Sequence, residues 1–424
     1  MKIKGLIEIN ATSNIFLLLL SIYAFSISFQ RLFYTSWTYY KLQVPEVVFL
    51  LILVYFLFKA RYFRVRLSTL WPIILFVFWT AITAFYHWKR DSWLELLGLI
   101  YLMTLTGLVS SFTALNEDGI KQVLRYFIYG VSVNCILGFI GYLLNIGGIN
   151  TAFGFVYDHY PIVGNVYRIQ GLTSHPIMLG NLIICSLFLS KFLLPMERKS
   201  IVIILILGLL LTFSKAILLA LSSVLIGGIL FKKIQYKFLA GAISIVLIFI
   251  QLAFTHFNLL DDSNAPDSRY WNKERINLAG NIDVSTTSYY FLKKACLKMG
   301  IEHPIFGVGG GNSNAAIKTA FLSNKNSDLD PHSLYFGTFA EYGLLGLFLF
   351  FVIIFTIYKL IRNMDVKWNK YQQAFALIFL FFLLEGISSD IINYRQIWLF
   401  IGFIVLLSSG MQVSQSRLSN AIYL

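Results

Sequence analysis

Residues 201–231 read IVIILILGLLLTFSKAILLALSSVLIGGILF. As a single helix this run would be about 46 Å long at 1.5 Å per residue, too long for a hydrocarbon core of about 30 Å. Basic clusters bracket it, Arg198-Lys199 before and Lys232-Lys233 after, and such clusters gather on one side of a membrane. Two short helices meeting at Thr212-Phe213-Ser214-Lys215 satisfy both facts. The run therefore predicts a membrane hairpin, with Lys215 at the end away from the two clusters.

The rest of the chain has the same character. Of its 424 residues, 58% are apolar and 13% charged, and the mean hydropathy is +0.72. A soluble domain carries about 25% charged residues, so a soluble globule is excluded, as are disordered and collagen-like chains. The net charge of +14 does not indicate nucleic acid, because the lysines and arginines sit mainly between apolar runs. Cys135, Cys185 and Cys296 form neither a disulfide framework nor a CxxC metal site. The first apolar run, Thr12 to Phe29, lacks an A-x-A cleavage site and reads as a retained helix.

The expected fold class is all-α, a polytopic transmembrane bundle of about twelve spans, since lipid leaves open backbone groups without partners. The spans fall at 12–29, 44–59, 69–87, 94–113, 125–146, 172–193, 201–213, 216–231, 238–254, 333–357, 371–386 and 391–409. Residues 1–254 thus hold nine helices and an outer loop at 147–171. Residues 255–332 form a large outer segment with a helix-like stretch near 286–300, and 333–424 hold three more helices and a tail. With the N-terminus inside, inner segments carry 19 of the 34 lysines and arginines. The outer side carries 15, eight of them in the long segment 255–332, which the positive-inside rule does not count. Nineteen against seven places both termini in the cytoplasm. A loop as long as 255–332 is usually functional, so chemistry is expected on the extracytoplasmic face.

Several residues there carry chemistry. His332, where the long segment re-enters the membrane, can accept a proton from a hydroxyl or orient it; the plainer reading is a capping or interfacial histidine. Arg168, Lys215 and Arg395 lie near outer span ends, where clustered cations can hold a pyrophosphate. Each alone reads as a snorkelling side chain or an ion-pair member, such as Arg395 with Asp390. Glu341, nine residues beyond His332, is expected to fix neighbouring helices. GVGGGN at 307–312 lacks the Lys-Ser/Thr of a phosphate loop and follows no strand, which leaves backbone flexibility or close packing. His175 and His303 each precede proline and read as turn residues, and the histidines show no metal-ligand spacing.

Taken in order, these elements resemble a known family. Arg168, Gly171, His175 and Pro176 form R-x-x-G-x-x-x-H-P; a T-x-S-(R/K) hairpin follows; the long loop ends in H-P-(I/L)-F-G-x-G-x-G from His303 to Gly311; His332 then leads a helix with E-x-G-L-x-G from Glu341 to Gly346. The order is similar to that of the bacterial O-antigen polymerase and O-antigen ligase superfamily, over roughly residues 160–350. The resemblance implies metal-independent glycosyl transfer, without a cofactor, from an undecaprenyl-pyrophosphate-linked glycan at the outer leaflet of the bacterial inner membrane. Cations would hold the pyrophosphate and the loop histidine would assist the acceptor hydroxyl. Three departures stand out: Lys215 replaces the usual Arg, Ser333 the Asn after the His, and Tyr289 the loop Arg that contacts pyrophosphate. Lys293, one helical turn on, or Arg269 or Arg275 are the substitutes for that charge.

The expected activity is polymerisation of O-antigen or capsular repeat units. An O-antigen ligase acting on lipid A-core is the near alternative. A flippase of the same lipid-linked oligosaccharide is the rival of another class, disfavoured because the spans look nearly charge-free. Expected partners are the lipid-linked glycans, membrane lipids and a chain-length regulator, and no nucleic acid.

Overall fold

The computed structural model describes residues 2–30, 43–64, 66–112, 115–149, 151, 153–160, 164–193, 199–212, 214, 257–261, 275–279, 282–286, 288–321, 331–365 and 368–408. Lys215, Arg269 and the expected spans 216–231 and 238–254 lie outside them.

The membrane part begins with α1 (Lys2–Ser26), α2 (Val44–Lys59), α3 (Leu67–His87), α4 (Arg90–Ser111) and α5 (Glu117–Ile146). After a hairpin of β1 (Gly154–Tyr160) and β2 (Gly164–Ile169) come α6 (Pro176–Leu193) and α7 (Lys199–Leu211). Strands β3 (Phe257–Asp261), β4 (Arg275–Ala279) and β5 (Ile282–Thr286) precede two shorter helices, α8 (Ser288–Glu302) and α9 (Ser313–Phe321). The chain returns to long apolar helices with α10 (Leu334–Arg362), α11 (Asn369–Glu385) and α12 (Arg395–Ser408). Among the described residues, α3, α4, α5, α6 and α10 are long and apolar enough to cross a membrane.

The chain is mainly helical, as expected, but strands interrupt the all-α reading between 154 and 169 and between 257 and 286. β1 pairs antiparallel with β2, and a second sheet has the order β3-β5-β4, also antiparallel. These stretches are short, without the apolar length that identified the spans. The hairpin reading of 201–231 fits on its described half: α7 ends at Leu211 and Thr212 lies in a turn.

Helix starts follow local chemistry. Asn116 caps α5, its side chain accepting from the Gly119 N–H at 2.8 Å, with Glu117 and Asp118 in the first turn, where carboxylates complement the helix dipole. Packing then sorts the helices: α1 lies on α5, α3 on α4 and α10, α12 on α4, and α6 on α5, α7 and α11.

Contacts between helix ends fall into two groups. At one end, the Arg64 N–H donates to Ser111 O at 2.8 Å and Arg66 reaches Val405 O at 3.5 Å, joining the ends of α2, α4 and α12. At the other, His87 contacts Gly307 O at 3.1 Å and Asn393 donates to Glu95 at 2.6 Å.

Candidate functional site

His332 sits just ahead of α10 in the left-handed region, at φ +47°. Capping of α10 falls to Ser333, whose Oγ accepts from the Phe336 N–H at 3.5 Å. The same hydroxyl donates to Gly386 O at 3.3 Å, and the Leu334 N–H donates to Gly386 O at 2.8 Å. The turn after α11 therefore fastens the start of α10. The capping reading of His332 does not hold; its neighbour does that work.

Lys293 on α8 is buried, 3% exposed, beside the apolar cluster of Leu292, Cys296, Met299 and Ala340. Burial lowers its pKa to about 8, so it remains mostly charged at neutral pH. Burial, and after it the Lys293 charge, lower the His332 pKa to about 4. The two side chains are thus electrostatically coupled, and His332 is neutral at pH 7. Positions 289 and 293 both lie on α8, one turn apart, so the lysine stands on the same helix face as the position where the family has its arginine. Arg275 lies in β4.

Arg168, at the end of β2, is also buried; its Nε donates to Thr212 O at 2.7 Å. The R-x-x-G-x-x-x-H-P element is thereby tied to Thr212, 44 positions away. Gly171 in that element lies against Asn134 of α5, whose Oδ1 accepts the Leu172 N–H at 2.7 Å. His175 serves its turn as expected, Nδ1 accepting from the Ile177 N–H at 3.3 Å.

Arg395 is placed differently from the expectation. It pairs with Glu46 of α2, not with Asp390, and also meets Tyr101, whose hydroxyl lies 2.6 Å from that of Tyr23. With Glu95, Glu341 and Glu385 buried as well, the helices hold more charge than their apolar runs suggest.

Glu341 does fix neighbouring elements. Its Oε1 accepts from Ser313 Oγ at 2.7 Å, anchoring α9 to α10. Its carbonyl accepts the Gly309 N–H at 3.0 Å, and Ala340 O accepts the Val308 N–H at 2.8 Å. The Leu344 N–H donates to Pro304 O at 2.8 Å. Residues 303–312 thus form a strap across α10, where Gly343, at φ +69° and ψ −167°, interrupts the helix. Close packing explains GVGGGN: a Cβ at Gly307 would overlap the carbonyl of Ala340 and the backbone of Glu341.

Glu341→Ala should destabilise the protein by about 1–3 kcal/mol, the cost of leaving a buried partner unsatisfied. Glu341→Gln, which keeps an acceptor for Ser313, should recover most of it. Thermal unfolding in detergent measures both; equal stability of the Ala variant and wild type would dismiss the anchor.

The sequence reading did not single out Ser313, Asn312 or His87. Asn312 donates to Ser92 Oγ at 2.7 Å and Val308 O at 3.1 Å, while His87 meets Gly307. The glycine cluster was the available signal, since chains rich in glycine accept close backbone approach. No curated protein matches this chain. Residues 200–351 do match the family model described as O-Antigen ligase, and this match bears out the resemblance of the chain to the O-antigen ligase and polymerase superfamily.

Proposed function

We propose that this membrane protein is a glycosyltransferase that lengthens undecaprenyl-pyrophosphate-linked glycans, joining repeat units into O-antigen or capsular polysaccharide. The observation that carries this reading is neutral His332 coupled to charged Lys293, where α8 meets the start of α10. In the proposed step the acceptor hydroxyl oxygen bonds to the anomeric carbon of the lipid-linked donor. The bond from that carbon to the pyrophosphate oxygen breaks, and undecaprenyl pyrophosphate leaves with the electron pair. The hydroxyl proton passes to His332 and then to water. Lys293, Arg168 and Lys215, with Arg269 and Arg275 from the outer segment, balance the leaving group's charge. Arg395 is committed to Glu46 and drops from this set.

The second reading is ligation of a finished glycan to lipid A-core, favoured by the description of the matching family. Reconstituted protein supplied with lipid-linked repeat units separates the readings. A ladder of longer lipid-linked glycans supports the polymerase, and product found only on added lipid A-core means the ligase. Translocation without lengthening would overturn both and indicate the flippase.

The proposal includes twelve spans, a large outer segment at 255–332, and an inner-membrane location with both termini cytoplasmic and the active face outside. Cysteine introduced at position 64 should be labelled by an impermeant reagent only after the membrane is opened. Labelling of intact cells would invert the topology.

A further inference from the structure

Between α3, α10, α11 and α12 runs a crevice with about 710 Å³ of empty space, part of it open to the surroundings. Its walls are apolar, with Leu334, Phe350 and Ile357 from α10, Phe375 and Phe382 from α11 and Ile401 from α12. From Phe375 to Leu383 it follows α11 for about 12 Å at 1.5 Å per residue, well short of the hydrocarbon depth of about 30 Å.

One end of the crevice is joined to the candidate site. Leu334 lines it, and the Leu334 N–H is held by Gly386 O at 2.8 Å and Ser389 O at 3.1 Å. That turn also positions Ser333, and His332 precedes it directly. A polar, cationic region at His332 and Lys293 therefore continues into an apolar track descending between helices. This arrangement matches an amphiphile with an anionic head and a long hydrocarbon tail. The lining offers no polar group that would orient a sugar.

We infer that this crevice holds the pyrophosphate-proximal isoprene units of the lipid-linked substrate, so that the tail fixes the depth at which the pyrophosphate meets His332. The inference rests on the lipid-linked glycan reading given above and adds the place of the tail. A polyprenyl chain suits a track of this kind because its trisubstituted double bonds make it stiffer than a saturated chain. Less conformational entropy is lost when it is confined.

The test uses the full chain in phosphatidylethanolamine vesicles with an undecaprenyl pyrophosphate bearing a diazirine on its first isoprene units. Light should attach the probe to peptides from 350–357 and 375–383, and unlabelled undecaprenyl pyrophosphate should compete it away. Ile354→Trp, which narrows the crevice from a half-buried position, should reduce labelling at least tenfold while the protein keeps its wild-type unfolding temperature. Competition by phosphatidylglycerol as strong as by undecaprenyl pyrophosphate would mean an ordinary acyl chain occupies the crevice, overturning the inference. So would labelling confined to other helices. Labelling is read without glycosyl transfer, so a protein that captures the probe here yet lengthens no glycan would refute the proposed reaction and leave the tail site standing.

Discussion

Replacing His332 should remove nearly all of the proposed glycan elongation while leaving the protein folded. Positioned acid–base groups contribute about 10²- to 10⁴-fold, and a loss of that size is expected for His332→Ala. The left-handed backbone at φ +47° complicates that variant, because alanine there carries a backbone cost of about 1–2 kcal/mol. His332→Gly is the cleaner probe: it relieves the backbone and removes the imidazole, so it should be at least as stable and equally inactive. Wild-type elongation by the glycine variant would remove His332 from the chemistry.

The pH dependence follows from the same environment. With its pKa lowered to about 4 by burial and by Lys293, His332 in the empty site stays unprotonated down to that pH. The proposed step needs the neutral form, so the rate should hold from neutral pH into mildly acidic conditions and fall as pH drops through the pKa. A bound pyrophosphate brings negative charge beside both groups and raises their pKa values. The acid limb of kcat should therefore lie above that of kcat/KM, because the first reports the complex and the second the free enzyme. At a pKa near 4 the imidazole is a weak base, so its first service is orientation of the hydroxyl, and substrate charge then strengthens its pull on the proton. An acid limb at the ordinary histidine value of about 6.5 in both profiles would contradict this coupling.

Gly343→Ala should be the most damaging substitution outside the reacting groups. Gly343 occupies φ +69° and ψ −167°, a region open essentially to glycine, where another residue costs about 1–3 kcal/mol. A Cβ would also overlap the Ile305 carbonyl and approach Pro304 O to 2.7 Å. The strap can accommodate it only by leaving α10, losing the hydrogen bonds from Val308, Gly309 and Leu344. A loss of about 3 kcal/mol or more is expected, with residues 303–312 becoming protease-sensitive and elongation failing. Native protease resistance with native activity would show that the strap tolerates a straight helix.

The strap explains why a loop motif and a helix motif occur in the same chain. H-P-I-F-G-V-G-G-G and E-Y-G-L-L-G are the two sides of one contact: the first supplies a backbone able to come close, the second a helix interrupted to receive it. Asn312, bonded to Ser92 on α4 at 2.7 Å, extends that contact to a third helix.

Apolar run length determined the spans without help from the fold, because the cost of burying polar backbone and charge in lipid is local to each segment. It placed α3, α4, α6 and α10 to within about five residues and the break at Thr212, but began α5 at 125, eight residues late, because its polar first turns from Glu117 lack the apolar character of a span. Helical periodicity likewise marked α8 from a stretch near 286–300. His332 was legible from residue type and position and Lys293 only through the resemblance, but their coupling was not, since charge acts through space. Tertiary structure alone decided the partner of Arg395, which is Glu46, 349 positions away, and not the nearby Asp390. It alone broke α10 at Gly343, in a run apolar enough to continue as helix, because the strap's carbonyls occupy the space a side chain would need. Hydropathy reports how much of a segment must leave water; which faces then meet depends on packing with segments hundreds of residues away.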